Sequence, residues 1–113
     1  MTANVDATLS ALADPTRRAL VGMLSKGPLR PSEIADALSA TRPAVSRHLG
    51  VLRRAGLVTE RIQAEDARIR IYTLLPKPFE DLRGWIEEVE AFWHDQLHAF
   101  KAHAEKGFRG RKE

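Results

Sequence analysis

The stretch TRPAVSRHLGVLRRAGLVTERIQAEDARIRIYTL, residues 41–74, changes its periodicity halfway along. In its first half Val45, Leu49 and Leu52 recur at i, i+4 and i+7, the spacing of one packed face of an α-helix. Thr41 offers a side-chain oxygen where a helix cap is needed, and Pro43 is tolerated in a first turn, whose amides have no intrahelical partner. Gly56 takes a left-handed conformation without steric penalty, so the helix is predicted over residues 41–55. Arg42, Ser46, Arg47, Gly50, Arg53 and Arg54 take the remaining positions, which makes the opposite face basic. In the second half, residues 57–63 and 68–74 are β-prone runs separated by Ala64-Glu65-Asp66-Ala67. Arg68-Ile69-Arg70-Ile71 alternates with period two, so a hairpin over residues 57–74 sets Arg68 and Arg70 on one face as a joint patch.

Upstream, Asp14-Pro15-Thr16 supplies a capping carboxylate and a proline at the first helical position. The helix that follows carries Ala19, Leu20, Met23 and Leu24 on its apolar face and stops near Lys26, before Gly27-Pro28. Ser32 is the expected N-cap of a short third helix with Ile34, Ala35 and Leu38 inward, and residues 5–12 read as a short first helix. Downstream, Pro76 and Pro78 precede a long helix expected from about residue 79 to 103. Phe79, Leu82, Ile86, Val89, Trp93 and Phe100 form its stripe, widened by Trp85, Phe92 and Leu97. A face this broad exceeds what a small helical core covers, which predicts that Ile86, Val89, Phe92, Trp93, Leu97 and Phe100 meet a second copy. Residues 106–113, with Gly107, Gly110 and four basic groups, lack a helical pattern and are expected to be disordered. Residues 1–105 are thus read as one domain.

The totals limit the chemistry. A chain of 113 residues accommodates one core. The absence of cysteine excludes disulfides, thiolate metal sites, iron–sulfur clusters and cysteine nucleophiles. No apolar run reaches membrane length and the N-terminus carries no signal-like segment, so no membrane partner and a cytoplasmic location are expected. The net charge of +3 conceals an uneven distribution: residues 41–74 hold seven arginines against three acids, while residues 75–105 hold three basic groups against seven acidic ones. A basic face joined to an acidic region suits a protein that touches a polyanion with one side.

A short helix, a turn, a capped helix with a basic outer face and then a hairpin make a winged helix-turn-helix: mainly α, five helices and a two-stranded wing. A major groove about 12 Å wide admits one α-helix, whose arginines hydrogen-bond guanine O6 and N7. Arg42, Ser46 and Arg47 stand where groove readers stand. Arg53 and Arg54 suit phosphates, and Arg68 with Arg70 suits a wing contact, so the expected partner is double-stranded DNA.

Three stretches resemble the ArsR-type (arsenic-repressor type) winged-helix regulators of bacteria. They are Leu12-Ala13-Asp14-Pro15-Thr16-Arg17-Arg18, the run from Ala44 to Val58, and Asp66-Ala67-Arg68 with Tyr72-Thr73-Leu74. The resemblance implies a homodimer formed by the first and last helices, adding Leu9 and Leu12 to the interface, and binding to an operator, usually as a repressor. Two positions depart from the pattern. Ala67 stands where the family's wing tip usually has Gly, and the cysteines of the family's metal sensors are absent.

Other readings fare worse. His94 and His98 at i and i+4 can share a divalent ion only if a third ligand joins, so no metal site and no cofactor are assigned. The sequence designates no small-molecule effector; the aromatics Trp85, Phe92, Trp93 and Phe100 read as dimer core rather than a pocket. His48, three after Val45 and four before Leu52, falls toward the packed side. The chain has no Gly-rich phosphate loop and no nucleophile elbow, which argues against an enzyme. A winged-helix protein-interaction module without sequence-specific DNA binding is the alternative, and the basic outer face of residues 41–55 argues against it.

Overall fold

Caps and breakers decide where each helix begins. The computed structural model describes residues 3–112, with side chains from residue 5 to 107. Its order is α1 (Ala3–Ala11), α2 (Pro15–Leu24), α3 (Pro31–Leu38), α4 (Arg42–Arg54), β1 (Val58–Ile62), β2 (Arg70–Leu74) and α5 (Pro76–Lys112). Asp14 caps α2 by accepting the Thr16 amide at 3.2 Å, and Thr41 caps α4 by accepting the Ala44 amide at 3.2 Å. Gly56, at φ +80°, ends the α4 segment in the left-handed conformation its sequence position predicts. The cap of α3 differs from expectation. Pro31, not Ser32, opens the helix, and the N-cap position falls on Arg30, whose amide donates to Glu33 at 2.8 Å.

These elements form two units, one ending at Leu82 and one beginning at Arg83. In the first, Leu20 and Leu24 of α2, Ile34 and Ala35 of α3, Val45, Leu49 and Leu52 of α4, and Leu57 and Val58 make the buried core with Ala11. Leu12, Leu29, Tyr72, Leu74 and Phe79 pack around it, half-buried. Ala19, expected inward, is exposed. Because Val45, Leu49 and Leu52 are at most 1% exposed, α4 is pinned along one side and its orientation is set by the core.

The hairpin is antiparallel, running from Val58 opposite Leu74 to Ile62 opposite Arg70. Leu29 adds a bridge that the sequence did not signal, donating to Tyr72 at 3.1 Å and accepting from it at 2.8 Å. The strands are thereby tied to the α2–α3 connection. The wing tip turns without positive φ at Ala67: the Asp66 amide donates to Gln63 at 3.3 Å and the Ile69 amide to Asp66 at 3.0 Å. Asp66 also accepts the Arg68 amide at 3.0 Å, a side-chain-stabilised turn that spares the position the need for glycine.

The second unit consists of α5 from Arg83 onward. α5 starts at Pro76 rather than near residue 79, because prolines in a first turn forfeit no hydrogen bond. It also continues past residue 103 to Lys112, so residues 106–112 are helical where a disordered tail was expected. Extending an existing helix is far easier than nucleating one, and Gly107 and Gly110 weaken it by only about 1 kcal/mol each relative to Ala. Glu113 lies outside the described residues. Among the described residues no helix is long and apolar enough to cross a membrane.

Candidate nucleic-acid interface

With Val45, Leu49 and Leu52 buried, α4 turns Arg42, Ser46, Arg47, Arg53 and Arg54 outward, and all five are exposed. Thr41 is exposed beside them, its hydroxyl oxygen engaged in capping. At 13 residues α4 is about 20 Å long, enough to lie along a major groove. The arginines fall into two groups. Arg42, Arg47 and Arg54 have no carboxylate partner among the described residues. Arg53 and Arg70 both hold Glu60, with Nη1 to Oε1 distances of 2.8 Å and 3.2 Å.

Glu60 is one feature that sequence reading missed. Lying opposite Tyr72 in the hairpin, it accepts from the phenol Oη at 2.6 Å, while its own side chain is 14% exposed. Burial, and then the hydrogen bond to Glu60, push the Tyr72 phenol up to about 12. The period-two pattern carries this signal once a register is assigned, since residues 60, 62, 70 and 72 then share a face.

Arg68 lies in the wing turn rather than in a strand and forms a two-pronged pair with Asp66, Nε to Oδ1 and Nη2 to Oδ2 both at 3.1 Å. Those bonds hold the Asp66 carboxyl below its usual range. Arg68 and Arg70, expected to act as one, therefore answer to different carboxylates. They still share an open cleft of about 240 Å³ with Arg30, Pro31, Ser32, Arg42 and Ile69, where the starts of α3 and α4 face the wing. From sequence, Ser32 has only a capping role and Arg30 none.

His48 is half-buried, as its spacing implied. Its Nδ1 lies 3.4 Å from Arg17 Nη1 and 3.8 Å from Asp14 Oδ2, and Arg17 Nε donates to the Ala11 carbonyl at 2.6 Å. This polar knot ties the start of α2 to the middle of α4. It engages the His48 ring within the fold.

The residues expected at a dimer interface behave differently from one another. Leu12 packs partly into its own core, whereas Leu9 is 42% exposed. In the second unit Ile86, Val89, Phe92, Trp93, Leu97 and Phe100 are all exposed, the last at 72%. The rings of His94 and His98 stand 5.3 Å apart, and no group of three metal-ligating side chains occurs among the described residues.

A helix-turn-helix domain family matches residues 12–61. The chain is 43% identical over 88 residues to the HTH-type transcriptional regulator Rv2034 of Mycobacterium tuberculosis, covering 78% of this chain and 77% of that one. It is 38% identical over 66 residues to the arsenical resistance operon repressor of Escherichia coli, covering 58% and 56%. Among solved structures, the ArsR family transcriptional regulator RHA00566 superposes with a TM-score of 0.73 at 31% identity, over 83% of this chain and 94% of that one.

Proposed function

Because this chain belongs to the ArsR family of helix-turn-helix transcriptional regulators, we propose that it is a dimeric repressor reading operator DNA with α4 and steadying it with the wing. The family consists of DNA-binding regulators, not enzymes. The observation that carries the reading is the outer face of α4, where Arg42, Ser46 and Arg47 are exposed beside a capped helix start and none of the three has a side-chain partner among the described residues. An arginine fork without a carboxylate keeps its donors for guanine O6 and N7. Thr41 flanks that start. Arg53 and Arg54 at the helix end, with Arg68 and Arg70 on the wing, supply phosphate contacts that place the helix without reading sequence.

The homodimer is supported by the exposed stripe Ile86, Val89, Phe92, Trp93, Leu97 and Phe100, a run of apolar surface unusual for a chain that stays alone in water. Leu9 adds apolar surface on α1. A two-fold dimer presents two copies of α4 to half-sites one helical turn apart, about 34 Å. Repression is the mode favoured by the E. coli relative's name, which is that of an operon repressor. Footprinting the DNA upstream of the gene is the test. Two protected half-sites about one turn apart and overlapping the promoter are expected; no protection at micromolar protein and low salt returns the chain to the protein-interaction alternative.

A further inference from the structure

Three of the basic groups on the proposed interface are already paired within the protein, Arg68 with Asp66, and Arg53 and Arg70 with one shared carboxylate. Glu60 reaches from β1 to the last turn of α4 and to β2 at once. Its Oε1 lies 2.8 Å from Arg53 and 3.2 Å from Arg70, and its Oε2 accepts the Tyr72 hydroxyl at 2.6 Å. The carboxylate is 14% exposed, whereas the Arg53 and Arg70 side chains are 59% and 54% exposed. The acid is thus sheltered while its two cations face solvent. A carboxylate engages a guanidinium through the same donors that a phosphate uses.

From this geometry we infer that Glu60 is a specificity-determining residue: an internal competitor that holds Arg53 and Arg70 away from DNA phosphates unless α4 is seated in its operator. The inference rests on the DNA-binding reading above. Attraction to DNA of any sequence comes from cations that release counterions from phosphates. Together Glu60, Arg53 and Arg70 carry a single net positive charge, so the group adds little to that attraction. Arg42, Arg47 and Arg54 keep theirs. On a cognate site, groove contacts hold the protein close enough for phosphates to displace the carboxylate, and the two arginines then contribute. Glu60 lowers binding to random DNA more than binding to the operator, and the ratio between them is what a regulator needs among a genome's competing sites.

The test uses the full chain with three variants, Glu60→Gln, Glu60→Asp and Glu65→Gln. Glutamine keeps a polar group for the Tyr72 hydroxyl and for the arginines but removes the charge; aspartate keeps the charge. Glu65→Gln, at an exposed position on the wing loop with no arginine partner among the described residues, removes the same charge. Titration of random and operator duplexes across a salt series is expected to show Glu60→Gln binding random DNA about ten-fold tighter, with a salt slope steeper by about one to two. Its operator affinity should rise less, so that discrimination falls. Glu60→Asp should stay near wild type. Equal effects from Glu65→Gln, or the Gln phenotype in Glu60→Asp, overturn the inference, because bulk charge or packing then explains the result. In the wild-type protein, arginine side-chain NMR gives an answer that no variant's folding affects. Random duplex should shift the Arg42, Arg47 and Arg54 side-chain signals and leave those of Arg53 and Arg70 in place, while operator shifts all five; uniform shifts on random DNA contradict it. A wild-type protein that retards neither duplex overturns the DNA-binding reading itself, an outcome distinct from the others.

Discussion

The start of α4 and the β2 side of the wing each carry two arginines and treat them in opposite ways. At the helix start Arg42 and Arg47 stand outward with no ion-pair partner among the described residues, on a segment locked to the core by Val45 and Leu49. On the wing Arg68 is clasped by Asp66 and Arg70 by Glu60. The difference follows from the scaffolds. A helix pinned on one side holds its outer side chains in place without help, whereas a two-stranded ribbon is marginal alone and gains order from ion pairs and from the Leu29 bridge. The helix therefore suits recognition, which needs unspent donors in fixed positions. The wing suits attachment, where geometry matters less than charge.

The severest way to break this contrast is to remove its support. Leu52 is fully buried, and Leu52→Ala should lower stability by about 2–5 kcal/mol, loosening helix and wing together; urea denaturation followed by circular dichroism measures it. Next comes Arg47→Ala, expected to weaken operator binding by about 1–3 kcal/mol while random duplex loses less. Equal loss on both would move Arg47 from the reading group to the phosphate group. Arg68→Ala should weaken all sequences alike and lower the salt slope by about one; a change in base preference would make the wing a reader.

The smallest effect concerns the wing's internal order. Burial and the hydrogen bond to Glu60 push the Tyr72 phenol up to about 12 in the fold, against about 10 in an unfolded chain, so the folded state favours the neutral form. A raised value means that this stability is fully present below pH about 10 and is lost as pH climbs toward about 12. Tyr72→Phe, missing only the hydroxyl, should cost about 1 kcal/mol at neutral pH and show a flatter stability curve across that window. Thermal melts between pH 9 and 12 on both proteins compare the two, and parallel curves would detach Tyr72 from Glu60.

Much of this arrangement was legible beforehand, and the reason is local. Thr41, Gly56 and the Val45–Leu49–Leu52 spacing act within a single helix, so they mark α4 without knowledge of the rest. The alternation at Arg68 to Ile71 marked a hairpin for the same reason. What stayed hidden depends on register or on distant partners. Nothing near Glu60 announces that Arg53, Arg70 and Tyr72 converge on it, since two of the three are at least 10 positions away. Ala67 stands at the wing tip without need of glycine because the Asp66 side chain closes the turn, a contact that no local pattern announces. Helix ends erred at both limits of α5, because a proline pair reads as a break when it is a start, and glycines read as a stop when they only weaken.

Guanine reading by Arg47 and its neighbours, with α4 in a major groove, is open to a direct test. Replacing half-site guanines with 7-deazaguanine removes the N7 acceptor and leaves base pairing intact, so titrating native and modified operator with wild type and Arg47→Ala addresses it directly. Wild type should lose about 1–3 kcal/mol at one modified position, and Arg47→Ala should lose nothing further there. Wild-type protein that binds both duplexes equally, at every guanine replaced, would contradict the account.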